Sequence, residues 1–173
     1  MKAINWLRFT WDLTTLPDAL PALPEHYDLT LGGRDDEKEL RKVIASSFTL
    51  DPTWNPSMKE VMQTIDGWFD GADESGKNAY LALRHGVRII GAAMVSLEAD
   101  SDNHLCPGPC ILLEYRNRGF GTKLLERSLA MLREAGLPRA SAIGKENSPV
   151  SKFLYTKFDS VQSPIDLDSA VAA

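Results

Sequence analysis

Apolar and polar residues alternate near the start of the chain, with Leu7, Phe9, Trp11 and Leu13 set against Arg8, Thr10 and Asp12. A period of two predicts a strand buried on one face. The prolines from Pro17 to Pro24 predict a linker, and Tyr27 to Leu31 a second strand. Asp35 to Phe48 and Ser57 to Phe69 read as two helices, separated by the breaker-rich loop Leu50-Asp51-Pro52-Thr53-Trp54-Asn55-Pro56. Tyr80 to Arg84 and Val87 to Ser96 read as strands joined in a hairpin at His85-Gly86. Cys110-Ile111-Leu112-Leu113 is an apolar run with the length of a central strand. Beyond it, Leu124, Leu125, Ser128, Leu129 and Leu132 fall on one helical face, and Lys123, Glu126, Arg127 and Arg133 on the other. Gly136 stops that helix and Pro138 prevents its resumption. Ala140 to Ile143 predicts another strand, and Asn147 opens a segment ending Phe153-Leu154-Tyr155-Thr156-Lys157-Phe158. There is no internal repeat and no low-complexity tract.

The most informative stretch is Arg116-Asn117-Arg118-Gly119-Phe120-Gly121-Thr122, which puts two glycines between a strand and an amphipathic helix. At a helix N-terminus, unpaired N–H groups and the positive end of the helix dipole converge, and a missing Cβ lets a phosphate approach the main chain. Two familiar phosphate loops do not fit. The Rossmann fingerprint needs a third glycine where Leu124 stands, and a Walker A loop needs Gly-Lys-Ser/Thr where the chain reads Gly121-Thr122-Lys123.

The spacing R/Q-x-x-G-x-G/A, filled by Arg116, Gly119 and Gly121, resembles the acyl-CoA pyrophosphate loop of the GNAT superfamily of N-acetyltransferases. The resemblance extends from about residue 78 to 158: a hairpin, a central strand, the loop and helix, a further strand, then an Asn followed by a helix bearing a Tyr, matched by Asn147 and Tyr155. It implies an α/β (α+β) fold, with a central mixed, mostly antiparallel sheet flanked by helices and splayed at its central strands. It also implies acetyl-CoA as co-substrate, with Ile111, Leu112, Arg116, Asn117, Arg118, Gly119, Phe120, Gly121, Thr122 and Asn147 as its contacts.

The implied chemistry is attack of an amine on a thioester, which needs a donor to the developing oxyanion, a path for the amine's proton and a proton for the departing thiolate. By resemblance the first falls to a backbone N–H near Ile111 and Leu112, and the third to Tyr155. A phenol, at an ordinary pKa of about 10, lies near a thiol's at about 8.5. The competing reading for Tyr155 is a ring packed on the sheet. His104 is the candidate base, because imidazole titrates near neutrality, with Glu98, Asp100 and Asp102 as competitors and a water chain as the alternative to all of them. Trp54, Met58 and Trp68, on the helix pair and its loop, are candidate acceptor contacts, against a reading as ordinary packing. The acceptor is a small-molecule or protein amine; the alternative function is a non-catalytic module that binds CoA or acyl-CoA.

Two departures from the family pattern bear on Tyr155. It lies eight positions after Asn147, and Lys157-Phe158 is followed by Asp159-Ser160 where the family usually has Gly-Phe. A glycine would take the left-handed conformation that ends such a helix more readily than Asp. Only fifteen residues follow Phe158, too few for the two final strands usual in the fold. The expectation is that Ser160 to Leu167 gives one strand and that Leu7 to Leu13, or a partner chain in a homodimer, covers the sheet edge left exposed.

Composition narrows the rest. With 173 residues, 43% of them hydrophobic, the chain makes one domain, residues 1–173, of which 1–25 form an N-terminal strand and proline-rich lead-in. No apolar stretch approaches the roughly 20 residues of a membrane span, and the start lacks a secretory h-region, so the expected location is cytoplasmic with no membrane partner. A formal charge of −5 and the lack of a basic stripe argue against nucleic acid. His104, Cys106 and Cys110 lie close together, but with no second Cys pair or fourth ligand they predict no metal. A Cys106–Cys110 disulfide is disfavoured in a reducing compartment, so the two read as small apolar residues flanking the turn Pro107-Gly108-Pro109.

Overall fold

The structure, a computed structural model, describes residues 5–17, 22–49, 63, 65–67, 69, 78–105 and 108–165. The elements are β1 (Trp6–Asp12), β2 (Tyr27–Leu31), α1 (Glu37–Thr49), β3 (Asn78–His85), β4 (Arg88–Ser96), β5 (Cys110–Ile111), α2 (Phe120–Glu134), β6 (Arg139–Lys145) and β7 (Val161–Ile165). They form two sheets, one ordered β2-β3-β4-β5 and the other β6-β1-β7, with every ladder antiparallel. This is the mixed α+β architecture expected, opened between β5 and β6. Among the described residues no helix is long and apolar enough to cross a membrane.

The first sheet is buried on both faces, which explains why β4 reads as an unbroken apolar run. Ile90, Ala93 and Val95 join Leu81, Leu83 and Ile111 in a core capped by Leu124, Leu125, Leu129 and Leu132 of α2. Ile89, Ala92 and Met94 join Ala82 and Cys110 in a second core, against Leu40, Val43 and Ile44 of α1 and the helical residues Ile65 and Phe69. A bulge between Leu83 and Arg84 shifts the β3–β4 register, and the Ile89 N–H donates to Glu39 of α1 at 2.8 Å. Gly91 has no room for a side chain: a Cβ there would lie 2.8 Å from Ile111 Cδ1 and 3.1 Å from Leu83 Cβ. Gly136 ends α2 as expected, at φ 94°, with its N–H on the Arg133 carbonyl and the Leu137 N–H on Leu132.

Three expectations need correction. The hairpin turn is Gly86-Val87, one residue later, because Gly86 takes the left-handed conformation (φ 62°) and His85 still pairs with Arg88. The central strand ends at Ile111, since Leu113–Tyr115 winds into a 3-10 turn that leaves Leu113 exposed. The N-terminal strand covers the edge of β6 (Phe9 opposite Ala142) but is not the outermost strand, because β7 pairs along its other side (Phe9 opposite Gln162).

Candidate active site

The 3-10 turn after β5 consumes the Tyr115 and Arg116 N–H groups on the Leu112 and Leu113 carbonyls. The backbone then passes through two left-handed residues, Asn117 (φ 63°) and Gly119 (φ 83°), before α2 begins at Phe120. Gly119 is the N-cap and offers no side-chain cap, so the first N–H groups of α2, at Phe120, Gly121 and Thr122, have no partner within the helix. The first intrahelical bond is that of the Lys123 N–H to the Gly119 carbonyl, 3.3 Å. Asn117, Arg118 and Gly119 are exposed, while Phe120 is buried against Tyr27, ring centroids 4.7 Å apart, and pins the helix start to the first sheet. A turn of this kind, with left-handed residues leading into an open helix N-terminus, gathers amides around an anion.

Arg116 is half-buried, and its Nε donates to the Ile111 carbonyl at 2.9 Å, folding the loop back on the end of β5. Arg118 lies over the Tyr115 ring, 5.4 Å from its centroid. Arg88 approaches the same ring at 5.8 Å and pairs with Glu114 at 2.9 Å. Glu114's carboxyl is held below the ordinary range, first by its own backbone N–H and then by Arg88. Tyr115 Oη also meets His85 Nδ1 at 2.8 Å, and His85 stacks on Tyr27 at 4.4 Å. Sequence patterning missed this aromatic support because its members come from three separate elements.

At the sheet opening, strand alternation separates two residues expected to act alike. The Leu112 N–H donates to the Ile90 carbonyl at 2.9 Å and is spent on β4. Ile111, one residue earlier, turns its N–H to the opposite edge, toward the side from which β6 has diverged.

Tyr155 is 3% exposed, its ring 5.4 Å from Phe9 and 5.6 Å from Trp11 of β1. Its hydroxyl does not run out to solvent. It abuts Gly108, just before β5, where a Cβ would collide with Oη. Tyr155 therefore spans the joint between the two sheets. A π-helical turn, Val150–Leu154, delivers it there, closed by the Tyr155 N–H on the Val150 carbonyl at 2.8 Å. Ser148, which sequence reasoning passed over, organises this turn. Its Oγ accepts from the Ser151 N–H at 3.2 Å and donates to the Lys145 carbonyl at 2.9 Å. Ser151 Oγ lies against Gly144 of β6, where a Cβ would strike it. The serine spacing was the available signal, a polar N-cap three residues before a second serine. Asn147 sits exposed in the turn before it.

His104 is 3% exposed and has no free ring nitrogen. Nδ1 accepts the Ser141 N–H at 3.0 Å and Nε2 lies 2.8 Å from the Glu98 carbonyl. The expected base thus lacks a lone pair for a substrate proton. Trp54, Met58, Trp68 and Cys106 lie outside the described residues; Cys110 is buried, its Sγ donating to the Gly108 carbonyl at 3.3 Å. Among the described residues no group of three or more His, Cys, Asp or Glu is placed to hold a metal.

The profile of the acetyltransferase (GNAT) family matches residues 38–159. The chain belongs to that family. The GNAT match reaches back through α1, well beyond the region the loop and hairpin resemble. No curated protein matches the chain. Among solved structures, a GNAT-family acetyltransferase from Colwellia psychrerythraea is similar over 94% of this chain and 55% of its own, with 15% identity and a TM-score of 0.64. A GNAT-family acetyltransferase from Brucella melitensis, solved in complex with acetyl-CoA, is similar over 66% of this chain and 73% of its own, with 23% identity and a TM-score of 0.52. A functionally unknown conserved protein from Staphylococcus epidermidis matches 94% of this chain at 15% identity and a TM-score of 0.61, and the chain spans 59% of its length. At these identities the likeness is one of fold.

Proposed function

We propose that this GNAT-family chain is an N-acetyltransferase that moves the acetyl group of acetyl-CoA to a primary amine by direct attack on the thioester. The observation that carries the reading is the meeting of three features at one place: the uncapped N-terminus of α2, the edge of β5 that faces away from β4, and the Tyr155 hydroxyl at Gly108. The Brucella melitensis acetyltransferase of similar fold was solved with acetyl-CoA, which supports the choice of co-substrate.

In this reading the amides of Asn117 to Thr122 and the Arg116 and Arg118 guanidiniums receive the pyrophosphate, with Asn147 as a further contact. The Ile111 N–H faces the thioester carbonyl. The amine forms a C–N bond to the carbonyl carbon and the oxyanion is held by that N–H. Collapse breaks the C–S bond and the thiolate takes the proton of the Tyr155 hydroxyl; the amine's proton leaves through water, since His104 has no open nitrogen, and water returns a proton to the tyrosinate. The acceptor is a small-molecule or protein amine, with Trp54, Met58 and Trp68 as its proposed contacts.

The test is thermal unfolding with and without acetyl-CoA, followed by thiol release with polyamines, aminoglycosides, amino acids and peptides. Acetyl-CoA is expected to raise the melting temperature by mass action, and one acceptor class to release thiol. Tyr155→Phe is expected to lower kcat by about 100-fold while leaving acetyl-CoA affinity intact, at the low end of general-acid contributions. Stabilisation with no thiol release from any acceptor would favour a CoA-binding module, and the lack of any binding would defeat both readings.

A further inference from the structure

The two sheets are not laddered to each other, yet they meet at one point. Among the described residues, the backbone hydrogen bond that joins them runs from the His104 N–H to the Ser141 carbonyl of β6, 2.7 Å. The Ser141 N–H returns to His104 as well, but to the imidazole, at Nδ1 and 3.0 Å. The His104 carbonyl is unavailable for that bond, because it accepts the Ser96 N–H of β4 at 2.9 Å. The ring nitrogen therefore stands where a strand's carbonyl would stand in a continuous sheet. Its acceptor role puts the ring proton on Nε2, which donates to the Glu98 carbonyl at 2.8 Å. One side chain, 3% exposed, thus ties β6 to the loop after β4.

The position of this tie explains its consequence. Leu105, the next residue, still bridges Val95 of β4, whereas at Cys110–Ile111 the strand is laddered to β4 alone and β6 to β1. The opening between β5 and β6 starts at His104. Both ends of the tie are backbone, so its length is set by the imidazole and not by a flexible chain.

We propose that His104, as the neutral Nε2–H tautomer, is a positioning residue that closes the apex between the two sheets and so sets the opening that admits the thioester arm. It acts through Ser141 and takes no proton from substrate. The inference rests on the acetyltransferase reading for the ligand, but not for the clasp itself.

Two measurements on the full chain test it. The first is a long-range proton–nitrogen correlation spectrum of the histidine-labelled protein at neutral pH without ligand. His104 is expected to give the Nε2–H pattern; an Nδ1–H or charged ring would overturn the clasp. The second compares His104→Asn, whose Oδ1 falls where Nδ1 lies and can accept the Ser141 N–H, with His104→Ala, which cannot. The Asn variant, which keeps the Ser141 bond and gives up only the one to Glu98, is expected to keep kcat near wild type and to raise the KM for acetyl-CoA by no more than about threefold, while Ala, which loses both hydrogen bonds, raises that KM roughly tenfold or more. A general base would instead lose about 10²- to 10⁴-fold in kcat in both variants. Equal defects in the two variants would overturn the proposal. If the wild type binds no acetyl-CoA, the acetyltransferase reading falls and with it the role in admitting the arm. The ligand-free spectrum distinguishes that failure from a failure of the clasp.

Discussion

Asp159 and Phe158 occupy left-handed backbone at φ 58° and 62°, at the place where the family pattern has a glycine nearby. Two consecutive non-glycine residues there carry a steric cost between Cβ and the carbonyl oxygen. Local bonds hold the turn in place. Ser160 Oγ donates to the Tyr155 carbonyl at 2.5 Å, and the Trp11 indole to the Lys157 carbonyl at 2.8 Å. Phe158 packs against the core, but Asp159 makes no such contact, so Asp159→Gly is expected to stabilise the fold by about 0.5–1 kcal/mol. Urea unfolding of the two proteins measures this directly. A loss of stability would mean that the left-handed turn is not the source of strain.

At the scale of elements, the lead-in to α1 is fastened to β3 by charge. Arg84 pairs with Asp36 at 2.7 Å and donates from Nε to Thr30 at 3.1 Å, while Asp36 also accepts the Gly33 N–H at 3.0 Å. The Arg84 hydrogen bond, then that of Gly33, holds the Asp36 carboxyl below its ordinary range. A carboxyl depressed in the folded state stabilises the fold above its unfolded pKa, near 3.9, and that contribution fades as pH falls through the lower folded value. The urea midpoint is therefore expected to drop between about pH 5 and pH 3 more steeply in wild type than in Asp36→Asn; parallel curves would show that the pair contributes nothing. The π-helical turn shows where element-level reading stops. Helical periodicity assumes 3.6 residues per turn, and a bond from Tyr155 back to Val150 departs from it, so the ring's direction was not readable from the count of residues after Asn147.

At the scale of the whole molecule, β1 is the central strand of β6-β1-β7, and its Phe9 and Trp11 are fully buried beside Tyr155. Removing residues 1–15 would leave β6 and β7 without a common partner and strip two aromatic side chains from the core, each worth about 3–5 kcal/mol on truncation to alanine. Such a chain is expected to lose cooperative unfolding in circular dichroism. Retention of a sharp transition would mean that β1 is an accessory strand.

Much of the architecture was legible along the chain because it follows from local pattern. Alternation marked β1, the turn before β4 carried a glycine, and α2 showed its stripe, its open N-terminus and its glycine stop. The loop before α2 belongs to this class, since free amides at a helix start need only the order strand, glycine, helix. What tertiary structure alone decided depends on residues distant in sequence. It placed β1 between β6 and β7, assigned the Leu112 N–H to β4 and left that of Ile111 at the open edge, set the Tyr155 hydroxyl on Gly108, and engaged both nitrogens of His104. The physical reason is that a hydrogen bond's partner across a fold carries no periodicity. His104 had the chemistry of a base in the sequence, and only the backbone groups that converge on it make it a link between sheets.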